Sequence, residues 1–388
     1  MRHLKKAVLI YFFINLFLYL YMWKYHYLVP FNESNYLYAS HHYLLEDRSK
    51  GQFNFLRALG QFDAQWYLKI ADSGYPENPT VIVMEDKTVM DGLTYAFFPL
   101  YPLILSVLNI LFNNIEITAF IFTQVMLIAN FISLYYVVND LYGENIAYKT
   151  VFLLFLFPFS IFFRSFFSEL VFLPLLIWYS YFLIQRKWFI TSVFTGLLII
   201  TRSPGLFLIP LTLILLFFDL IKRKLNIIRV IFYLLIISVP FSVWLFFNYY
   251  MTGRMLYWLE VRNSWFSSES IINTVSYNLL LLKSFFNLPL LALHGSRIDS
   301  LIIIYSFIML FYGLKFLRKE LWWISFLLLT PLLFTDTTSF SRYQTVSFPL
   351  FVYLASTLNR RWFAAIASVF YAVLLFASHY FINWYWLG

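Results

Sequence analysis

The chain contains no cysteine, which excludes disulfides and thiolate metal sites. Its 11 glycines are scattered and form no phosphate-cradling loop, dinucleotide fingerprint or GxSxG elbow. Histidine is nearly as uninformative. His41 and His42 are adjacent and cannot share a helix face, and His294 and His379 stand alone in apolar stretches. No metal and no bound cofactor are expected. Charge is scarce at 12% of residues, about half the share usual in a soluble domain. No internal repeat, low-complexity tract or separate soluble domain stands out.

Apolar sequence is what remains, at 61% of 388 residues. It falls into stretches at 7–23, 97–112, 117–138, 150–164, 169–185, 188–203, 205–221, 230–248, 279–293, 299–317, 321–335, 345–358 and 362–380. A membrane-spanning helix needs roughly 20 apolar residues, and fewer where bundle contacts compensate. Two stretches are weak: 97–112 begins with Pro99 and Pro102, and 279–293 contains Lys283 and Pro289. A charge at the bilayer centre costs about 2.5–3.5 kcal/mol even on a mild insertion scale, so Lys283 favours an interfacial helix. RHLKK at residues 2 to 6 precedes the first apolar stretch, and no small-residue cleavage site follows it, so an uncleaved first span is expected.

The net charge of +9 does not imply a nucleic-acid partner, because the basic residues lie in short runs between apolar stretches. With both weak stretches kept on the outer surface or re-entrant, eleven spans remain and the N-terminus is cytosolic. RHLKK, Lys149, QRK (185–187), KRKLNIIR (222–229), KFLRKE (315–320) and NRR (359–361) then all lie inside, as the positive-inside rule requires. The predicted fold is an all-α polytopic bundle, one domain over residues 1–388, with about 11 transmembrane helices (about 9 to 13 as boundaries move). Two long outer loops are expected at 24–116 and 249–298, and shorter outer turns carry RSFFSE (164–169), TRSPG (201–205) and TDTTSFSRYQ (335–344).

The polar residues converge on that outer side. Asp63 is placed at the start of a short helix ended by Gly74, where the bland reading is a cap on the first-turn amides and the sharper one a catalytic carboxylate, two compatible roles. Asp63, Trp66, Tyr67 and Ile70 share a face, while Lys69 and Asp72 point to solvent. Arg164 and Glu169 flank one turn, either as an interfacial ion pair or as groups facing a cavity. Arg202 and Arg342 are read as outer arginines without matched acids, suited to an anionic ligand because a guanidinium grips phosphate bidentately. Their bland alternative is snorkelling to lipid headgroups.

FDAQWYLKIADSGY (62–75) followed by AFFPLYPLI resembles the signature of the PIG-V family within the GT-C superfamily of membrane glycosyltransferases. LFPFSIFFRSFFSELVFL, TRSPGLFLIP and SRYQTVSFPLF match further, in the same order. The resemblance implies GT-C architecture, with a catalytic acid (Asp63) in the first outer loop. It also implies a polyprenyl- or dolichyl-phosphate sugar as donor, with mannose the sugar, and a lipid-linked or envelope glycan acceptor like the GPI precursor. Arg202, Arg342 and Arg164 are then the candidates for the donor phosphate, and Trp66, Tyr67, Glu169, Tyr101 and Tyr343 for the substrates. The surrounding partners are membrane lipids, with room for a small membrane subunit. The membrane is the plasma membrane of a prokaryote or the endoplasmic reticulum of a eukaryote. The chain has Asp-Ala where related GT-C groups often carry two acids.

The chemistry fits these residues independently. A carboxylate takes the proton from an acceptor hydroxyl as that oxygen attacks the anomeric carbon. One base with a phosphate leaving group implies single displacement and inversion. The competing class is a transporter or lipid flippase with an outward-facing polar cavity, for which internal repeats and midplane sites would be expected. A non-catalytic scaffold would tolerate loss of Asp63.

Overall fold

A computed structural model describes residues 2–39, 53–77, 79, 91–265, 297–334 and 340–387. The stretch 279–293, with Lys283, and also His41, His42 and His294, lie outside the described residues. Among those described the fold is helical, with no strand. An apolar chain in lipid must satisfy every backbone group within its own segment, which favours helices.

The chain opens with α1 (Arg2–Lys24), then α2 (Glu33–Ala39) and α3 (Phe55–Leu59) of the first loop. The acidic aromatic motif forms α4 (Asp63–Ser73), and FFPLYP leads into α5 (Leu100–Phe112). The bundle continues with α6 (Ile115–Tyr142), α7 (Glu144–Leu156), α8 (Glu169–Ile184) and α9 (Trp188–Ile199). Next come α10 (Ile209–Ile221), α11 (Ile227–Thr252) and α12 (Tyr257–Trp265). The C-terminal part holds α13 (Arg297–Gly313), α14 (Lys319–Leu329), α15 (Phe340–Val346), α16 (Phe348–Thr357) and α17 (Arg360–Ile382).

Five helices are long and apolar enough to cross a membrane: His3–Lys24, Ile115–Tyr142, Ser203–Ile221 (taking in the short 3-10 turn before α10), Ile227–Thr252 and Arg360–Ile382. Shorter apolar helices, among them α5, α8, α9 and α16, complete the bundle. The chain therefore has the helices of a multi-pass membrane protein. α11 shows the lipid-facing pattern most clearly, with Ile228, Leu235, Val243, Phe246 and Tyr250 all exposed along it. A soluble protein rarely shows so much contiguous apolar surface.

Local signals start and stop these helices. Asn114, Asn226 and Asn359 cap α6, α11 and α17, each side chain accepting from the backbone N–H three residues on. Prolines interrupt two expected spans. The stretch 150–164 is helical only to Leu156, because Pro158 forces Phe157 out of helical geometry (φ −56°, ψ 138°) into a 3-10 turn over Pro158–Phe163. The stretch 205–221 likewise begins with a 3-10 turn, Ser203–Leu208, before α10. Both breaks lie beside the polar residues.

Candidate active site

Long-range backbone bonds draw the motifs together. The amide of Phe166 in RSFFSE donates to the Leu59 carbonyl at the end of α3 (3.2 Å). The amide of Leu100 in FFPLYP donates to the Ile200 carbonyl beside TRSPG (3.0 Å). Gln61 reaches the Ile382 carbonyl at the end of α17 (3.0 Å). Gly205 lets TRSPG fold tightly, since a Cβ there would collide with the Leu198 carbonyl.

These ties assemble a chain of charges from four distant segments. Arg342 Nη1 donates to Asp63 Oδ2 at 2.6 Å, and Arg342 Nε donates to Glu169 Oε1 at 2.7 Å. The same Oε1 pairs with Arg202 Nη1. Arg202 also reaches Ser168 Oγ (3.5 Å), and Ser168 donates to the Tyr67 hydroxyl (2.8 Å). Arg342 lies over Phe162, Phe167 and Trp386, its guanidinium carbon 5.1, 4.7 and 5.3 Å from the ring centroids. Such cation–π contacts partly replace lost hydration. Arg202 sits over Tyr343 at 5.2 Å, and Tyr101 packs edge-on to Tyr67 at 5.2 Å.

Burial acts against the charge on Arg342, but the adjacent carboxylates of Glu169 and Asp63 outweigh it and hold its pKa above the ordinary value. Burial lifts the Tyr67 hydroxyl to about 12, although the Arg202 cation pulls the other way. Tyr67 is therefore a neutral phenol at any working pH.

Three expectations change. Asp63 does not cap α4. It is the first helical residue, Phe62 holds the cap position without a side-chain cap bond, and the Asp63 carboxylate is turned to Arg342 instead. Arg202 and Arg342 are not without acids, since Glu169 and Asp63 match them. They were separated from those acids by long stretches of chain, which hid the pairing. Arg164 joins neither Glu169 nor the charge chain. It is fully buried, donating from Nε to Asn15 Oδ1 (2.7 Å) and from Nη1 to the Ser160 carbonyl (3.0 Å) and hydroxyl (2.9 Å). Its Nη2 donates to the Phe155 carbonyl (3.0 Å). The break at Pro158 turns its side chain towards α1 and α7, while Glu169 starts α8 on the other side. Arg164 is thus a strut between helices rather than part of the charged cluster.

Asp63, Tyr67, Tyr101, Glu169, Arg202, Arg342 and Tyr343 come together, whereas Trp66 is buried with its ring stacked on Phe97 (5.9 Å). Asp72 is exposed as expected, and Lys69 is half-buried beside Trp66. Sequence reasoning missed Ser168, the aromatic clamp on Arg342, and Phe62. Phe62 has φ 52° and ψ −128°, a region that glycine enters freely and a bulky residue does not. Its ring is held by Trp384 (5.0 Å) and Trp386 (4.9 Å), so the last aromatic residues help set the direction of Asp63. The Trp pair in NWYW was the available signal. Among the described residues no three His, Cys, Asp or Glu side chains group as metal ligands.

Comparison with known proteins adds one family. Residues 98–244 match the dolichyl-phosphate-mannose-protein mannosyltransferase family. That match supports a GT-C glycosyltransferase. It takes in α5 to α10 and most of α11, with Glu169 and Arg202, and begins after Asp63. It does not carry the narrower PIG-V likeness, which rests on the sequence motifs. No curated protein matches the chain. Among solved structures, the crystal structure of the Archaeoglobus fulgidus oligosaccharyltransferase, in complex with zinc and sulfate, is similar at TM-score 0.41 and 12% identity. The alignment covers 82% of this chain and 52% of that one, so the chain spans about half that structure's length.

Proposed function

We propose that the protein is an inverting glycosyltransferase that moves a sugar, mannose in the PIG-V-like reading, from a polyprenyl- or dolichyl-phosphate donor to a lipid-linked or envelope acceptor. Asp63 is its general base. The acceptor oxygen forms a bond to the anomeric carbon as the carbon–oxygen bond to phosphate breaks. The hydroxyl proton passes to the Asp63 carboxylate, and the bonding pair leaves with the lipid phosphate. Eleven spans would place this site on the extracytosolic side.

The observation that carries this reading is the division of labour between two carboxylates on one guanidinium. Glu169 has a side chain only 1% exposed and is tied to both arginines, whereas Asp63 is 29% exposed and bound to one. Of the two, Asp63 is the carboxylate with exposed surface to meet an acceptor hydroxyl. The two arginines and two carboxylates sum to zero charge. An arriving phosphate would compete for Arg202 and Arg342, which then stabilise the negative charge that develops on the leaving group.

The test offers purified protein a panel of radiolabelled polyprenyl-phosphate sugars with total host lipid. Transfer by the wild type and a loss of about 10²–10⁴-fold in Asp63→Asn is the expected result. Asparagine keeps the size and an oxygen for Arg342 but cannot take a proton. Wild-type transfer by a folded Asp63→Asn protein would overturn the assignment of the base. Movement of a lipid or solute without bond exchange would favour the transporter reading instead.

A further inference from the structure

The ion pairs account for one oxygen of Glu169 and leave the other. Oε1 serves both arginines, while Oε2 is buried and meets no hydrogen-bond partner among the described residues. An unpaired acceptor on a buried carboxylate is costly, so natural structures rarely keep one without a use. A second such atom belongs to Tyr101, which is fully buried and whose hydroxyl also meets no partner among the described residues.

Both belong to the same wall. The Tyr101 ring packs against Tyr67 at 5.2 Å and 73°, and the Tyr67 hydroxyl is held by Ser168, the residue before Glu169. Neither Glu169 Oε2 nor the Tyr101 hydroxyl bonds to the other. One atom can only accept a hydrogen bond and the other has a hydrogen to give. An alcohol hydroxyl, with one donor and two lone pairs, satisfies both at once.

We propose that Glu169 Oε2 and the Tyr101 hydroxyl form a subsite for one hydroxyl of the transferred sugar, which donates to the carboxylate and accepts from the phenol. This rests on the donor reading above and gives it a specificity element. Asp63 acts on the acceptor and the arginines on the phosphate, while this pair recognises the sugar itself. A site built to bond a substrate hydroxyl rejects an analogue lacking it far better than an apolar pocket can.

Tyr101→Phe is the deciding variant, because it removes only an atom that has no partner among the described residues. Full-length protein in lipid nanodiscs is titrated with polyprenyl-phosphate sugars, their monodeoxy analogues and bare polyprenyl phosphate, with binding read by calorimetry. Tyr101→Phe should weaken binding of the complete sugar donor about tenfold and leave bare polyprenyl phosphate unchanged. One deoxy donor should bind wild type and variant equally weakly. Undiminished binding of the complete donor by Tyr101→Phe would overturn the subsite, as would equal losses on bare polyprenyl phosphate, or a wild type that binds no sugar donor more tightly than the bare lipid. An ordered water between the two atoms predicts the first of these results. Binding needs no turnover, so a donor that binds with this pattern but is never transferred would sink the transferase reading and leave the subsite standing.

Discussion

Asp63 and Glu169 share one guanidinium: Arg342 donates to the first from Nη1 at 2.6 Å and to the second from Nε at 2.7 Å. The fork geometry of arginine makes this double contact available to a single side chain. Arg342 thereby fixes the distance between the exposed carboxylate and the buried one.

Arg342→Lys should keep the charge and lose the function. An ammonium is a point charge and cannot hold two carboxylates in the arginine's geometry. Transfer should fall at least about tenfold, with part of the loss in the donor KM. Arg342→Lys protein that matches wild type in both kcat and KM would reduce Arg342 to a structural ion.

Arg164 should behave in the opposite way. Arg164→Met leaves Asn15 Oδ1 and the Ser160 carbonyl without their donor and takes one of two donors from the Phe155 carbonyl. Each buried group left unpaired costs roughly 1–3 kcal/mol, so the thermal midpoint should drop clearly. Donor KM in the protein that remains folded should stay near wild type, whereas Arg202→Ala should raise it. An Arg164 variant of normal stability and raised KM would return this residue to the phosphate site.

Phe62 offers a test of backbone strain. Phe62→Ala loses the ring but keeps an L-residue at φ 52°, while Phe62→Gly loses both ring and strain. Both variants should be less stable than wild type, because the contacts with Trp384 and Trp386 are gone. Glycine, normally the worse substitute, should here be more stable than alanine by about 1 kcal/mol. Denaturant titration that ranks alanine above glycine would argue against strain at the entry to α4.

Sidedness can be read by labelling. Asp72 and Ser73 end α4 on the exposed surface, and Lys224 lies in the basic turn before α11. Cysteine at Ser73 should react with an impermeant reagent in sealed cells, and cysteine at Lys224 only after permeabilisation. Lys224 suits this better than Asn226, whose side chain caps α11. Labelling at Lys224 alone would invert the topology. Asp72→Asn in the same background should leave transfer unchanged, separating Asp63 from a general effect of acidic residues on α4.

Much of the architecture is written locally. Continuous apolar stretches, asparagine caps at 114, 226 and 359, proline breaks and the stop at Gly74 act over a few residues, and the helices follow them. The sequence also places Asp63 in the long first loop and Glu169, Arg202 and Arg342 in short turns between apolar runs, where ions avoid the cost of lipid. Only the tertiary structure decided how they pair. Arg342 meets Asp63 across 279 residues and Glu169 across 173, while Arg164, five residues from Glu169, turns away. Helical periodicity fixes which face a residue takes on its own helix. Which ions meet depends on how whole helices pack, where Pro158 breaks one of them, and how Phe62 is held by the last tryptophans.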